Sequence, residues 1–184
     1  MSIPGKEKDF LEAHLNVAWL RPESAFWDAI ASAVISRYSI NSPSLDLGCG
    51  NGIFSFITAG GRFSLDYDWY INTDTERFGK NNDIYDAYLS DSSKKAIIKR
   101  PLYNFDVGFD VKINLLRQVM ALGFYADTVA GNAVSEFCFK DETFKTVFSN
   151  ILYWINNPRR SLKKIFNILQ SGGEAILCVP DKKF

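Results

Sequence analysis

Apolar and polar positions along this chain change period several times, and each change marks an element. Over 21–38, Phe26, Ile30 and Val34 recur every four residues with Ala33 alongside, the spacing of a helical stripe. Pro22 suits the first turn of that helix. Asn41-Ser42-Pro43 breaks the pattern, and a short apolar strand is predicted at 44–47. Ile53 to about Ala59 predicts a short helix closed by Gly60-Gly61. Residues 62–104 are rich in Asp, Asn, Tyr and Lys and show no sustained apolar period. Order returns with a strand over Phe105–Asp110. A helix follows over Lys112–Leu122, with Leu115, Leu116, Val119 and Met120 on its buried face and Gly123 at its end. Strands are predicted at Asp127–Ala130 and Phe144–Ser149. Pro158 opens a helix whose Leu162, Ile165, Phe166 and Leu169 fall at i, i+3, i+4, i+7, and Ser171-Gly172-Gly173 stops it. Ala175–Val179 is the last predicted strand. Strands alternating with helices predict an α/β fold on a doubly wound, mostly parallel sheet. The division expected is an N-terminal helical segment over 1–40, acting as a lid or cap, and a main domain over 41–184 with an insertion at about 62–104.

Composition narrows the function classes. At 184 residues and 47% hydrophobic, the chain has the length and apolar content of one folded domain. Basic and acidic residues balance at 21 each, so net charge offers no footprint for nucleic acid or an anionic membrane. No apolar run reaches bilayer length, and MSIPGKEKDFLEAHLN lacks the apolar core of a secretory signal. Cys49, Cys138 and Cys178 are odd in number and far apart, which predicts no metal site, no disulfide framework and a cytoplasmic protein with reduced thiols.

The chemistry concentrates in residues 44–52. A strand carrying Asp46 breaks into glycine at every second position, Gly48, Gly50 and Gly52. Glycine is needed where backbone turns sharply and a ligand approaches without a Cβ in the way, so this loop is expected to hold a small molecule at the mouth of a parallel sheet. Dinucleotide folds use G-x-G-x-x-G; here the third glycine falls one position early, and Ile53 stands in its place. The run Asp46-Leu47-Gly48-Cys49-Gly50-Asn51-Gly52 instead resembles motif I, D/E-x-G-x-G-x-G, of the class I S-adenosylmethionine-dependent methyltransferases. Further segments resemble that family in the same order: Gly108-Phe109-Asp110, Gly131-Asn132-Ala133, the run from Phe137 through Asp141 to Phe144, and Leu169-Gln170-Ser171-Gly172-Gly173. The likeness covers about 44–61 and 105–180. It implies a Rossmann-like methyltransferase fold with S-adenosyl-L-methionine over the strand ends and S-adenosyl-L-homocysteine as product.

What the resemblance implies for single residues can be set beside their plainer roles. Gly48, Gly50 and Gly52 would let the backbone meet the cofactor, with Cys49 as a small filler rather than a nucleophile. Asp46 would lie near the methionine amino group; a carboxylate in an apolar strand is costly unless paired. The ribose diol calls for an acid after the second strand. Asp66, eighteen positions beyond Gly48, has the spacing; Asp110 has the context, a Gly-Phe pair before it and a helix after it. Asp110 is the choice and Asp66 the alternative. Asn132 and Ala133 would meet the adenine, and Ser149-Asn150-Ile151 would face the methionine end, with packing as its plainer role. His14, the only histidine, could serve as base only if the N-terminal arm folded over the site; helix packing is the simpler role. Trp19, Phe26 and Trp27 are expected in the core, with a lid as the alternative.

The family sheet has seven strands, and the pattern here accounts for five. The last two are expected to be missing, which leaves a sheet edge for a second copy of the chain or another partner to cover. In the insertion, Asp66, Asp68, Asp74, Glu76, Asp83 and Asp86 mix with Tyr67, Tyr70, Tyr85 and Tyr88. Such a surface suits a sugar or an amine, or is simply a solvated excursion. A calcium loop starting at Asp66 fails, because Ile71 and Arg77 occupy its glycine and glutamate positions. The function expected is methyl transfer to a small-molecule substrate, with a sugar or glycan precursor as the suggested acceptor. The alternatives are a domain that binds the cofactor without turnover, or a fragment of a larger methyltransferase. A nicotinamide oxidoreductase is disfavoured by the glycine spacing.

Overall fold

The computed structural model describes residues 5–68, 70, 96–135 and 137–179. Helices α1 (Gly5–Val17) and α2 (Pro22–Ile35) precede β1 (Ser44–Leu47), α3 (Ile53–Thr58), β2 (Arg62–Phe63) and β3 (Ile97–Lys99). Then come β4 (Phe105–Asp110), α4 (Ile113–Leu122), β5 (Tyr125–Ala130), β6 (Phe144–Ser149), a 3-10 turn (Leu152–Trp154), α5 (Pro158–Ile168) and β7 (Leu169–Leu177). Five strands form one sheet in the order β5-β4-β1-β6-β7, and all four pairings are parallel. The chain winds outward from β1 through β4 to β5, then crosses to β6 and β7. This is the predicted doubly wound sheet, and its switch point lies at β1.

Two cores cover the two faces. Leu45, Leu47, Phe109, Val147, Ile165 and Ile168 pack under α5. Phe10, Ala29, Phe56, Leu116, Val119, Phe124 and Phe148 pack on the other face, beneath α1 to α4. β1 sits between two neighbours, and all four of its residues are buried.

Three helical stripes differ from expectation. On α2, Phe26, Ile30 and Val34 are exposed, as are Trp19 and Trp27; the buried residues are Ala25, Ala29, Ser32, Ala33 and Ile35. Small side chains every fourth residue let α2 lie close against α1 and α3, so the large ones point away. Met120 of α4, and Leu162 and Phe166 of α5, are likewise exposed; Ile165 and Ile168 form the contact in α5. The strand expected at 175–179 starts at Leu169, directly off α5, and absorbs Gly172 and Gly173 in an irregular step between Phe144↔Leu169 and Thr146↔Glu174. Within the insertion, β2 and β3 pair antiparallel as a separate sheet, which no period in the sequence indicated. Asp74, Glu76, Asp83, Asp86, Tyr85 and Tyr88 lie outside the described residues.

His14 ties three helices together. Thr58 Oγ1 donates to the Phe54 carbonyl, so Ser32 Oγ donates to Thr58 at 2.7 Å, and His14 Nε2–H must donate to Ser32 at 2.8 Å. Its ring also stacks on Phe54. The histidine is 2% exposed; burial, then the nearby Arg62 charge, push its pKa from 6.5 down to about 3. The unfolded chain therefore binds a proton between these values that the folded chain does not, and stability falls as pH drops from about 6.5. Asp46 and Asp28 act in the opposite sense: their pKa values are raised from 3.8 to about 6, so each favours folding as pH falls through that window. The difference between wild type and His14→Gln isolates the histidine. Urea midpoints between pH 6.5 and 4 should show the variant gaining on wild type by up to about 1.4 kcal/mol per pH unit. A parallel pair of curves would show that His14 is protonated in the fold.

Candidate functional site

Gly48, Gly50 and Gly52 all have positive φ, at 82°, 57° and 75°, and each is glycine for a different reason. A Cβ on Gly48 would overlap the Ile151 side chain. One on Gly52 would stand 2.9 Å from the Tyr125 ring. One on Gly50 would meet nothing within 4 Å. Gly50 is thus the point where the loop faces open space, while its neighbours press against the protein. Backbone pins the loop in place: the Gly48 and Cys49 N–H groups donate to the Phe109 carbonyl at 2.7 and 3.1 Å.

Behind the loop lies Asp46, 1% exposed. Its Oδ2 accepts hydrogen bonds from Ser55 Oγ and the Tyr125 hydroxyl, both at 2.6 Å. Burial raises its pKa to about 6; the two hydrogen bonds pull it down, and the Asp110 charge adds to the rise. The thiol of Cys49 is pushed well up by burial and then by the Asp46 and Asp110 charges, which suits a filler and not a nucleophile.

Asp110 closes the front. It ends β4, the neighbour of β1, and its two oxygens each take one backbone hydrogen: Oδ2 from Gly50 N–H and Oδ1 from Lys112 N–H, both at 2.9 Å. A carboxylate has about four acceptor positions, so two remain. The loop and the acid hold each other in register, and the acid keeps capacity for a diol.

These groups open on one cavity of about 1060 Å³ at the carboxyl ends of β1, β4, β5 and β6, where a doubly wound sheet binds its ligand. Of the residues singled out from the sequence, Gly48, Cys49, Gly50, Asp110, Asn132 and Ala133 line it. Asp46, Gly52, Ser149, Asp66 and His14 do not. Ser149 is fully buried, and its hydroxyl donates to the Leu47 carbonyl, tying β6 to β1. Asp66 is exposed on a turn after β2. The Asn132 Oδ1 already accepts from the Val134 and Ser135 N–H groups. Tyr67 and Tyr70 are buried rather than on a binding surface.

The sequence reading missed the opposite wall. Arg21, which caps the start of α2, and Ser24 and Asp28 on that helix line the cavity, as do Phe54, Tyr153 and Trp154. The signal was present as polar positions at i, i+3 and i+7 on α2, overshadowed by that helix's large apolar residues. Among the described residues no helix is long and apolar enough to cross a membrane, and no group of three or more His, Cys, Asp or Glu is placed to hold a metal ion.

Strand order, glycine loop and acid-ended β4 together define the α/β fold of class I S-adenosylmethionine-dependent methyltransferases. Among solved structures the chain is similar to a methyltransferase from Thermotoga maritima, at 13% identity and TM-score 0.52, over 96% of this chain and 55% of that one. It is also similar to a candidate S-adenosyl-L-methionine-dependent methyltransferase from Methanococcus maripaludis, at 15% identity and TM-score 0.50, over 96% of this chain and 66% of that one. At such identities the likeness is one of fold, and the chain spans roughly half to two thirds of these proteins' length. No protein-family profile and no curated protein matches the chain.

Proposed function

We propose that this chain binds S-adenosyl-L-methionine in the cavity and directs its methyl group to a small-molecule acceptor. The observation that carries this reading is the open backbone at Gly50, held by an Asp110 carboxylate with two acceptor positions to spare. Asp110 would take the ribose hydroxyls, and Asn132 with Ala133 would border the adenine. The Gly48–Gly50 loop would carry the amino-acid tail, and the Arg21 guanidinium suits its carboxylate. Asp46 supports this loop from behind, through Tyr125 and Ser55, and does not touch the tail. When bound, the cofactor supplies an electrophilic methyl group: the acceptor's lone pair forms the new bond to carbon while the carbon–sulfur bond breaks, its electron pair staying on the sulfur of S-adenosyl-L-homocysteine. The protein's part is alignment, worth up to about 7–11 kcal/mol of such a barrier. Residues 1–40 would cap the site through α2. A sugar acceptor draws no support from Tyr67 and Tyr70, which are buried.

A second reading is a domain that holds the cofactor without turnover, or a piece of a larger enzyme. It is favoured by the five-stranded sheet and by a β7 edge that a second copy or another partner could extend. Calorimetry separates the readings from other cofactor classes. Micromolar binding, about −8 kcal/mol, is expected for S-adenosyl-L-methionine and S-adenosyl-L-homocysteine and none for NAD. Heat with NAD alone would overturn both. Acceptor-dependent release of S-adenosyl-L-homocysteine then distinguishes turnover from binding.

A further inference from the structure

We infer that Asp28 and the aromatic side chains lining the same cavity form the acceptor subsite, and that the acceptor is a primary amine. The inference rests on the cofactor reading above and gives it a substrate class.

Asp28 is half-buried on the cavity wall, and no hydrogen bond or ion pair joins it to a described residue. Its burial raises its pKa to about 6, against the opposing charge of Arg21. A carboxylate withdrawn from water without a partner is held at a cost that a cationic ligand offsets. Asp46 also has a raised pKa, but two hydroxyls satisfy it; Asp28 has none. Around the same cavity stand Tyr153 and Trp154. Trp154 is 77% exposed, far more than a tryptophan recruited for packing. Ring faces attract cations, so carboxylate and rings select the same ligand charge.

Position assigns this end of the cavity to the second substrate. Asp110 belongs to β4 and the glycine loop to β1, and these two strands are adjacent. Asp28 stands on α2, which packs against α1 and α3, and reaches the same cavity from that wall. Ribose at Asp110 and tail at Gly48–Gly50 leave the wall of Asp28, Tyr153 and Trp154 free. An amine there arrives as an ammonium ion. The Asp28 carboxylate pairs with it and accepts one proton from nitrogen, which frees the lone pair; the proton then leaves from the carboxyl to water.

The test uses this chain loaded with S-adenosyl-L-homocysteine and titrated at pH 7.5 with 2-phenylethylamine and with 2-phenylethanol, followed by calorimetry and protein NMR. The amine is expected to bind at least tenfold more tightly than the alcohol. Asp28→Asn should erase that preference while leaving S-adenosyl-L-homocysteine affinity within twofold, and Asp28→Glu should retain it. Equal binding of amine and alcohol by wild type overturns the inference without any variant, so a variant that fails to fold leaves a decisive measurement. Loss of S-adenosyl-L-homocysteine affinity in Asp28→Asn also overturns it, since that assigns Asp28 to the cofactor's own ammonium group. A wild-type chain that does not bind S-adenosyl-L-homocysteine fails at the earlier step, which is the cofactor reading itself.

Discussion

Replacing Asp110 with alanine should lower S-adenosyl-L-homocysteine affinity by about 10²- to 10⁴-fold. The free carboxylate positions would accept two hydroxyl hydrogens, and hydrogen bonds to a charged group are worth about 1.5–3 kcal/mol each; about 1.4 kcal/mol is tenfold in affinity. The effect on the fold should be smaller. Asp110 is part-exposed, and its loss frees the Gly50 and Lys112 N–H groups at a cavity that water reaches. Asparagine is not a mild substitute here. Both carboxylate oxygens receive a backbone N–H, so either orientation of an amide aims its NH₂ at a donor. Asp110→Asn is therefore expected to disturb the Gly50 loop as well as the diol contact, and to bind no better than alanine. Asp66→Asn is the control, because Asp66 is exposed and does not line the cavity. Calorimetry on the three variants, with urea unfolding alongside, checks this. Unchanged affinity in Asp110→Ala with a loss in Asp66→Asn would reverse the assignment.

That Asp110 lines the cavity and Asp66 does not shows what could be read from the chain. A strand that ends in an acid after Gly-Phe and runs into a regular helix is a local pattern, and β1, β4 and β6 are all legible to the residue for the same reason. The glycine loop was legible as a loop, but the separate reason for each glycine was not. Gly52 is glycine because of Tyr125, and Asp46 is satisfied by that same tyrosine, 79 positions away. No spacing rule reaches a contact of that kind. It depends on β5 starting at Tyr125, two residues before the Asp127 at which the apolar pattern suggested a start. The α2 stripe failed for a different reason. The periodicity predicts large apolar residues facing inward, whereas close helix packing selects Ala25, Ala29 and Ala33 and turns Phe26 and Ile30 outward. The cavity wall of Arg21, Ser24 and Asp28 went unseen with it, because that wall is defined by which way α2 faces.

Gly48→Ala should cost about 2–6 kcal/mol of stability, a large part of the 5–15 kcal/mol typical of a domain. Two separable causes contribute. At φ 82° any Cβ is strained by about 1–3 kcal/mol. The same Cβ would overlap the Ile151 side chain, and overpacking adds about 1–3 kcal/mol. Trimming Ile151 to alanine relieves the second cause and leaves the first. The double variant should therefore be less destabilised than the sum of the single ones, by at least about 1 kcal/mol in a urea double-mutant cycle. Strict additivity would mean that Ile151 moves aside freely and that backbone conformation alone demands glycine. The distinction bears on the site, because Ile151 follows β6 and Gly48 follows β1, on the two sides of the switch point. Coupling between them would mean that the loop is held to its shape from both neighbouring strands, by Phe109 and Asp110 of β4 on one side and by Ile151 on the other. Gly50 would then open on a cradle already formed, and S-adenosyl-L-homocysteine affinity should fall in Gly48→Ala and recover in part in the double variant.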